Sequence, residues 1–425
     1  MPRTSPKRAG VGLGPEYRKL WTATAISTLG DGMYLTALPL LAARLTRDPL
    51  AVSAVTFAAW LPWLLVALAS GALVDRWDRR RVLWTADAGR GVLVGALTVL
   101  VLAGWASIWL LATVGFLLGV GQTLFDSAVL AIIPALVSRD RGRLERANGR
   151  WGAVMTAGEQ LAGPPAGGVA FTVAAWLPFA ADAVSFAASA ALLASLRGHF
   201  TAEPPEIGSP ASLRGEIAEG LRFLLGHRVL RALAGMVGAY SLVFMAASAI
   251  LVLFAQQELG LGSVGFGLLL AALAVGALPG SLLAPMVGQR LPAGTVLIGG
   301  ALVEAGAWLA VGLAPSAWVA AAALAADGLV GAIWNVTQLS LRQVLIPDRL
   351  LGRVIGAFRL VGFGPAPVGA LLGGVLGRTL GLRAPFVVGA VVLAVVALLA
   401  LPAVNTRSVQ AARLQARTPA ADGPA

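Results

Sequence analysis

The chain has 425 residues, of which 58% are hydrophobic and 12% charged, and its formal net charge is +12. Soluble domains are typically about 45–50% apolar and about 25% charged, so this composition excludes a water-soluble enzyme and a disordered chain. A mean hydropathy of +0.81 indicates a polytopic membrane protein. Cys is absent and only two His residues occur, which excludes a disulfide, a thiol nucleophile and a His-rich metal site, and we expect neither a metal nor a cofactor.

The apolar segments predict an all-α polytopic membrane protein with twelve transmembrane helices. A spanning helix needs about 20 apolar residues, and runs of that length recur from Leu20 to Pro402. The first run carries Asp31 and is too long for a cleaved signal peptide, so we expect it to be retained. The predicted spans are 20–43, 50–73, 82–103, 106–136, 150–172, 175–196, 230–256, 264–288, 294–313, 316–340, 354–376 and 384–402.

Positive charges are distributed unequally between the two ends of these spans. With both termini in the cytoplasm, every Lys and Arg lies in or next to a cytoplasmic segment except Arg44, Arg47, Arg378 and Arg383. This asymmetry obeys the positive-inside rule and predicts a multi-pass protein of the cell inner (plasma) membrane with both termini cytoplasmic. It also explains the net charge without nucleic acid, because the basic residues lie beside anionic lipid.

The spans form two groups of six, separated by a polar segment. Within that segment, Ser212 to His227 has an amphipathic pattern, which fits a helix on the inner membrane surface or a solvated linker helix. Gly163–Gly168 in span 5 matches Gly364–Gly369 in span 11, and such repeats are typical of transporters with a substrate site between two pseudo-symmetric halves. The predicted divisions are an N-terminal cytoplasmic tail (1–19), an N-terminal six-helix bundle (20–196), a cytoplasmic central loop (197–228), a C-terminal six-helix bundle (229–403) and a disordered cytoplasmic tail (404–425).

The loop between spans 2 and 3 reads G-A-L-V-D-R-W-D-R-R-R-V-L, from Gly71 to Leu83. It resembles the signature loop of the major facilitator superfamily, with Asp78 in place of the usual glycine before the basic cluster. The resemblance implies the two-bundle major facilitator fold. The loop residues that match are Gly71, Asp75, Arg76, Arg79, Arg80 and Arg81. On physical grounds, the glycine permits close helix packing and the arginines hold the loop on the cytoplasmic side.

Further stretches resemble one branch of this superfamily, the drug and siderophore exporters that include enterobactin-exporter-like and macrolide-efflux-like proteins. These stretches are Leu29–Gly32, Glu219–Leu224, Leu345–Arg349 and Gly352–Arg353. The resemblance covers roughly residues 15–405 and implies an exporter of small molecules.

Span 5 also resembles the antiporter motif of this superfamily, which ends in Gly-Pro-x-x-Gly-Gly. The matching residues are Gly163, Pro164, Gly167 and Gly168. The upstream glycines of that motif are missing, since Arg150 and Glu159 occupy their places. Two interpretations stay open, an export motif or a Gly/Pro kink that allows tight helix packing.

Several carboxylates fall inside the predicted spans, where an ionisable group costs about 2.5–3.5 kcal/mol on insertion scales. We predict that Asp31, Glu159 and Asp126 carry protons, and the alternative is that they are structural carboxylates bonded to neighbouring helices. Asp87 and Arg90, three residues apart on one helix face, are interpreted as a structural pair. The residues predicted to line a substrate cavity are Tyr34, Asn335, Gln338, Asp327 and Glu304, and hydrogen bonding between helices is the alternative for Asn335 and Gln338.

These features predict a secondary active transporter, not an enzyme, that couples proton movement to export of small amphipathic molecules (drug, macrolide or siderophore-like) by alternating access. The alternative is an uptake transporter or an uncoupled facilitator for a small polar solute. The sequence contains no G-x-x-x-x-G-K-[ST] loop, so ATP does not drive the chain directly. The expected partners are a small-molecule substrate, protons and the lipid bilayer, with no nucleic acid and a monomeric state.

Overall fold

The computed structural model describes residues 13–66, 74, 77–137, 140–198, 200 and 213–417. Within those residues the chain is helical. The helices are α1 (Pro15–Leu45), α2 (Pro49–Leu65), α3 (Arg79–Leu102), α4 (Ile108–Val137), α5 (Arg141–Met155), α6 (Gly163–Val173), α7 (Leu177–Ala194), α8 (Leu213–Gly226), α9 (Arg228–Gln257), α10 (Ser263–Arg290), α11 (Ala293–Gly312), α12 (Ala317–Leu345), α13 (Leu351–Phe363), α14 (Ala366–Leu380), α15 (Ala384–Val404) and α16 (Thr406–Arg417). A π-helical segment, Thr156–Ala162, joins α5 to α6, and a short 3₁₀ turn, Asp348–Leu350, precedes α13.

Each predicted span overlaps a helix or two helices in series, and residues 67–73 of the second span lie outside the described residues. In the described part of the chain, nine helical stretches are long and apolar enough to cross a membrane by length and composition. The remaining three predicted spans coincide with α1, with α2, and with the run from α5 through α6. The prediction of an all-α protein is confirmed, whereas the crossing of all twelve spans stays a prediction.

Aspartate side chains set the starts of several helices. Asp48 accepts a hydrogen bond from the Leu50 amide at the start of α2, and Asp140 accepts one from the Arg143 amide at the start of α5. Asp78 accepts bonds from the first amides of α3, at 2.9 Å from Arg80 N. Each carboxylate satisfies an amide that has no partner inside the helix, which fixes the helix boundary.

Spans 5 and 11 are interrupted at the matching Gly-Pro segments. In span 11 the helix breaks between α13 and α14, at Gly364 and Pro365. In span 5 the π-helical segment ends where Gly163 and Pro164 begin α6. Proline has no amide hydrogen and its ring clashes with the carbonyl four residues earlier, so both repeats lose regular α-helix at the same place.

The helices of the two halves pack in the same pattern. The pairs α1–α7, α3–α7, α2–α4, α3–α4 and α1–α6 are in extensive contact in the N-terminal half. The corresponding pairs in the C-terminal half are α9–α15, α11–α15, α10–α12, α11–α12 and α9–α14. The described helices on either side of the central segment thus repeat one packing pattern, and the bounds of the predicted divisions stay a prediction.

The halves contact each other mainly through α2 with α14 and through α6 with α10. Gly168 of α6 is essential to the second contact, because a Cβ at this position would lie 2.5 Å from the carbonyl oxygen of Ser263 in α10. The α6–α10 contact at Gly168 and the α2–α14 contact at Ser53 and Gly374 lie at the end of the molecule that carries the 1–2, 5–6 and 7–8 connections, and the α2–α14 contact continues from there to Leu64 and Gly364. The halves are therefore closed against each other at that end.

The sequence predicts a disordered tail from residue 404, but part of this tail is helical. Thr406–Arg417 forms α16, which Asn405 caps by accepting a hydrogen bond from the Ser408 amide at 2.9 Å. Val409 and Ala412, three residues apart, are buried on one face of this helix against the C-terminal half. That short apolar face provides the packing that orders the segment, and residues 418–425 lie outside the described residues.

The amphipathic segment of the central loop forms α8. Leu224 is fully buried and Leu221 packs beside it in the core of the C-terminal half. Glu219 accepts a hydrogen bond from Arg353 of α13 at 2.5 Å. The helix is thus docked on the C-terminal half along this part of its length, while its relation to the membrane surface stays a prediction.

Replacing Gly168 with Val should separate α6 from α10 and shift the protein toward forms that are open at this end, because the added side chain cannot fit against the Ser263 carbonyl. Since the chain has no Cys, cysteines introduced at Val173 and Gln257 can carry spin labels without background. We expect longer inter-label distances in the variant by pulsed electron paramagnetic resonance. Gly149→Val is the control, since a Cβ there meets nothing within 4 Å, and identical distance distributions in all three proteins would contradict this account.

Candidate functional site

Arg90 of α3 forms the centre of a buried polar network in the N-terminal half. Its side chain is 5% exposed, and its Nη2 donates to Asp31 Oδ1 of α1 at 2.6 Å. Its Nη1 donates to Asp87 Oδ1 at 3.2 Å, and the other oxygen of Asp87 accepts from Ser189 Oγ of α7 at 2.5 Å. The guanidinium also lies over the Phe186 ring, 4.1 Å from its centroid. One cation therefore ties α1, α3 and α7 together.

Three further carboxylates surround this centre. Asp126 of α4 accepts from Gln122 Nε2 at 3.0 Å, and Asp182 of α7 accepts from Ser185 Oγ at 3.3 Å. These two and Glu159 lie close enough to Arg90 to interact with it electrostatically. Among the described residues, no three of the acidic side chains converge closely enough to hold a metal ion. The network is a set of carboxylates around one guanidinium.

Glu159 lies in the π-helical segment between α5 and α6. The amide of Gly163 bonds to the carbonyl of Gly158, five residues earlier, which is the π-helical pattern. The segment packs closely against α1, since a Cβ at Gly32 would lie 2.6 Å from the Glu159 carbonyl oxygen. The irregular turn thus places Glu159 beside the segment of α1 that carries Asp31.

The helix 5 motif residues lie at helix contacts. Gly163 packs against Gly32 and Gly167 against Met33, both on α1. Pro164 and Gly168 face α10, where Pro164 approaches Gly267. The motif therefore packs against a helix of each half, which agrees with the interpretation as a packing kink and leaves the export interpretation open.

The signature loop is described only in part, because Gly71, Asp75 and Arg76 lie outside the described residues. Arg79 Nη1 donates to the Ala131 carbonyl of α4 at 3.1 Å, and Arg80 donates to the Ala194 carbonyl of α7. The amide of Arg81 donates to Asp78 Oδ1 at 3.3 Å. Asp78, which replaces the usual glycine, is thus the N-cap of α3, and the basic residues bind the ends of the neighbouring helices.

A second polar region lies in a cavity of about 450 Å³ in the C-terminal half. Glu304, Asp327, Asn335 and Gln338 line it, together with aromatic side chains. Tyr34 lies elsewhere, in the N-terminal half, with its ring 6.0 Å from that of Phe179. The structure thus brings four of the five predicted cavity residues into one space.

Contacts inside this cavity involve residues that the sequence reasoning did not single out. Tyr240 of α9 donates to Asp327 Oδ2 at 2.9 Å, and Gln338 Nε2 donates to Asn335 Oδ1 at 2.8 Å. Gln160, which follows Glu159 in the π-helical segment, also lines the cavity. The position of Tyr240 in the middle of an apolar span could have indicated that it lines a polar cavity. Nothing in the sequence spacing indicated this for Gln160.

Arg90 is the other residue whose role the sequence reasoning missed. The sequence places Arg90 beside the cytoplasmic loop charges and predicts its pair with Asp87 on the same helix. The structure contains that pair and adds the contact with Asp31 of α1. Arg90 lies eleven residues into α3, about 16 Å along the helix axis, so its depth indicated a need for partners on other helices.

Comparison with known proteins agrees with the sequence resemblance. The family model of transmembrane secretion effectors, MFS_3, matches residues 13–423. The multidrug efflux pump Tap of Mycobacterium tuberculosis is 30% identical over 389 residues, covering 88% of this chain and 89% of Tap. The enterobactin exporter EntS of Salmonella typhimurium is 27% identical over 374 residues, covering 85% of this chain and 86% of EntS.

Solved structures share the fold. A bacterial homologue of the human lysosomal transporter Spinster, inward-facing and unoccupied, aligns with a TM-score of 0.69 at 14% identity, covering 95% of this chain and 98% of that one. A bacterial homologue of the iron transporter ferroportin, in an inward-facing state, aligns with a TM-score of 0.67 at 18% identity, covering 94% and 98%. At these identities the likeness establishes the fold alone.

The family match and the relatives identify the chain as a multi-pass membrane transporter and not an enzyme. The chain belongs to the MFS_3 family of transmembrane secretion effectors, within the major facilitator superfamily. The resemblance found in the sequence and the prediction of a polytopic membrane protein are thereby confirmed.

Replacing Arg90 with Met should destabilise the protein by about 3–5 kcal/mol, because Asp31 and Asp87 then lose their buried counter-charge. Unfolding in detergent, followed by the loss of helical circular dichroism, measures the change. Adding Asp31→Asn and Asp87→Asn to the Arg90→Met variant should recover part of the loss, since no unpaired charge of the triad remains. Equal stabilities of the single and the triple variants would show that the ion pairs do not hold these helices together.

Proposed function

We propose that this chain is a proton-coupled secondary active exporter of small amphipathic molecules, drug-, macrolide- or siderophore-like, which works by alternating access. The observation that carries the proposal is the position of the π-helical segment. Glu159 interacts with the Arg90 network, while its neighbour Gln160 lines the cavity of the other half. A change of charge in the Arg90 network and the binding of a ligand in the cavity would therefore both act on the π-helical segment.

The charge balance of the network supports proton coupling. Five carboxylates, Asp31, Asp87, Asp126, Glu159 and Asp182, surround the guanidinium of Arg90. Five negative charges beside one positive charge are costly in a low-dielectric interior, so several of these groups hold protons when the site is shielded from water. Exposure to water on one side of the membrane then favours proton release, and this ties proton movement to the conformational state.

The contacts between the halves support alternating access. The halves meet where α2 packs against α14 and α6 packs against α10, and the cavity lies away from these contacts. A rocking motion that separates these helix pairs would open the molecule at the end where they meet and close it at the opposite end. The glycine motif of α6 serves as a contact surface in this motion, since Gly168 lets α10 approach closely.

The direction of transport is proposed from the relatives. Tap bears the name of a multidrug efflux pump and EntS that of an enterobactin exporter, and both match most of this chain. We further propose that the protein works as a monomer in the cell inner membrane with both termini in the cytoplasm, as the positive-inside distribution predicts. Protons, the substrate and lipid are its proposed partners, and nucleic acid is not.

Asp31→Asn should abolish proton-driven uptake of substrate into everted vesicles, because an amide cannot carry the proton. The substrate for this assay is first identified by testing the drug susceptibility of a deletion strain and an overexpressing strain against a drug panel. The same variant should retain exchange of labelled for unlabelled substrate without a gradient, which shows that it is folded and binds. Glu145→Gln, on the exposed surface of α5, is the control.

Full retention of proton-driven uptake by Asp31→Asn and by Glu159→Gln would show that these residues do not carry the coupled proton. Substrate movement that leaves the vesicle pH unchanged in the wild-type protein would instead indicate an uncoupled facilitator. Accumulation in the opposite direction would indicate uptake.

A further inference from the structure

Two carboxylates face the cavity of the C-terminal half without a counter-charge. Glu304 of α11 is 5% exposed and Asp327 of α12 is 1% exposed. They lie near each other, since Gly331, one turn after Asp327, would place a Cβ 3.2 Å from Glu304 Oε1. In the part of the chain that the structure describes, neither carboxylate forms an ion pair with Lys or Arg.

One arginine does line the same cavity, but at its far end. Arg342 is fifteen residues after Asp327 on α12, which is about 22 Å along a helix. Its guanidinium lies over the Phe358 ring, 4.1 Å from the centroid. Arg342 therefore does not neutralise the carboxylate pair.

The N-terminal half supplies an internal comparison. α3 packs on α4 and α7 as α11 packs on α12 and α15, so the two helices occupy equivalent places in their halves. On α3, Arg90 provides the cation between Asp31 and Asp87. On α11, Glu304 adds a second carboxylate to the site and no arginine or lysine occurs in the helix. The same architecture thus has a built-in cation in one half and lacks it in the other.

Buried acceptor atoms lie in the deep part of the cavity. Asp327 Oδ1 and Gln338 Oε1 have no hydrogen-bond partner among the described residues, and the Gln338 side chain is only 3% exposed. Tyr240 OH bonds to Asp327 Oδ2 and Trp334 Nε1 bonds to the Leu297 carbonyl. Trp308 Nε1 lies near enough to Asp327 to interact with it and has no other partner among the described residues. Buried acceptors without partners leave a place for a ligand that brings a donor or a positive charge.

The remainder of the cavity fits a bulky apolar body. Trp334, Phe358 and Phe363 line it, and its volume of about 450 Å³ lies within the usual range for sites that hold drug-sized molecules. Aromatic faces also attract cations directly. The cavity therefore combines uncompensated negative groups with aromatic walls.

We propose that this cavity binds organic cations that carry bulky apolar groups, with the positive charge held between Glu304 and Asp327. The ligand supplies the counter-charge that Arg90 supplies in the other half. This inference rests on the proposed function, because it names the class of molecule that the proposed exporter transports. Binding itself requires neither a proton gradient nor transport.

Tetraphenylphosphonium and tetraphenylborate test the proposal, because they have the same shape and opposite charge. The wild-type protein is placed in nanodiscs of zwitterionic lipid, with no ion gradient, and binding is measured by equilibrium dialysis against empty nanodiscs. We expect saturable binding of tetraphenylphosphonium at one site and no competition from tetraphenylborate. Glu304→Gln and Asp327→Asn should each weaken the binding by about tenfold, and Glu145→Gln, exposed on α5, should leave it unchanged.

Absence of saturable tetraphenylphosphonium binding, equal binding of tetraphenylborate, or unchanged affinity in both carboxylate variants would each overturn the proposal. If the neutral variants fail to fold, binding of the two probes to the wild-type protein decides whether the proposal holds. Glu304→Asp, which keeps the carboxylate, then serves as the variant whose affinity is compared with that of the wild type. A protein that binds tetraphenylphosphonium in this way but does not transport it would contradict the proposed export function and leave the cation site intact.

Discussion

The contact between Arg90 and its two carboxylates is the interaction on which the N-terminal half depends. A guanidinium buried among apolar helices is tolerated only when its charge is paired, and Asp31 and Asp87 provide the pairing from two helices. Ser189 extends the bond to α7, so three helices share one polar centre. The placement of Asp126, Glu159 and Asp182 around this centre gives the half a surplus of acidic groups. The proposed proton coupling rests on that surplus.

The two halves repeat the same packing but not the same electrostatics. The N-terminal half encloses its cation, whereas the C-terminal half presents Glu304 and Asp327 to a cavity with aromatic walls. Under the proposed cation site, the two halves have different tasks, since one holds a polar network and the other receives a ligand. The π-helical segment lies between them, because Glu159 belongs to the network and Gln160 to the cavity. Its irregular hydrogen bonding results from the Gly-Pro motif that follows.

Much of the fold was predictable because hydrophobic runs of fixed length and the repeated Gly-Pro motif are local features. The approximate positions of the described helices follow from the hydrophobic runs. The pairing of Arg90 with Asp87 followed from their spacing of three residues. The pairing with Asp31 did not, since Asp31 lies 59 residues away and helical periodicity does not determine which helices meet. α16 was missed because its apolar face, Val409 and Ala412, is only two residues wide. The cavity was partly predictable, as Asn335 and Gln338 share one helix face, but Tyr240 and Gln160 reach it through tertiary packing.

The coupling of proton and substrate movement is the central claim, and reversal of the pH gradient tests it most directly. The purified protein is reconstituted in liposomes, the membrane potential is clamped with potassium and valinomycin, and net flux of a drug found in the susceptibility screen is followed. We predict that the drug moves against the proton flux and that its net direction reverses when the gradient is reversed. Net flux that follows only the drug concentration, whichever side is acidic, would contradict the account.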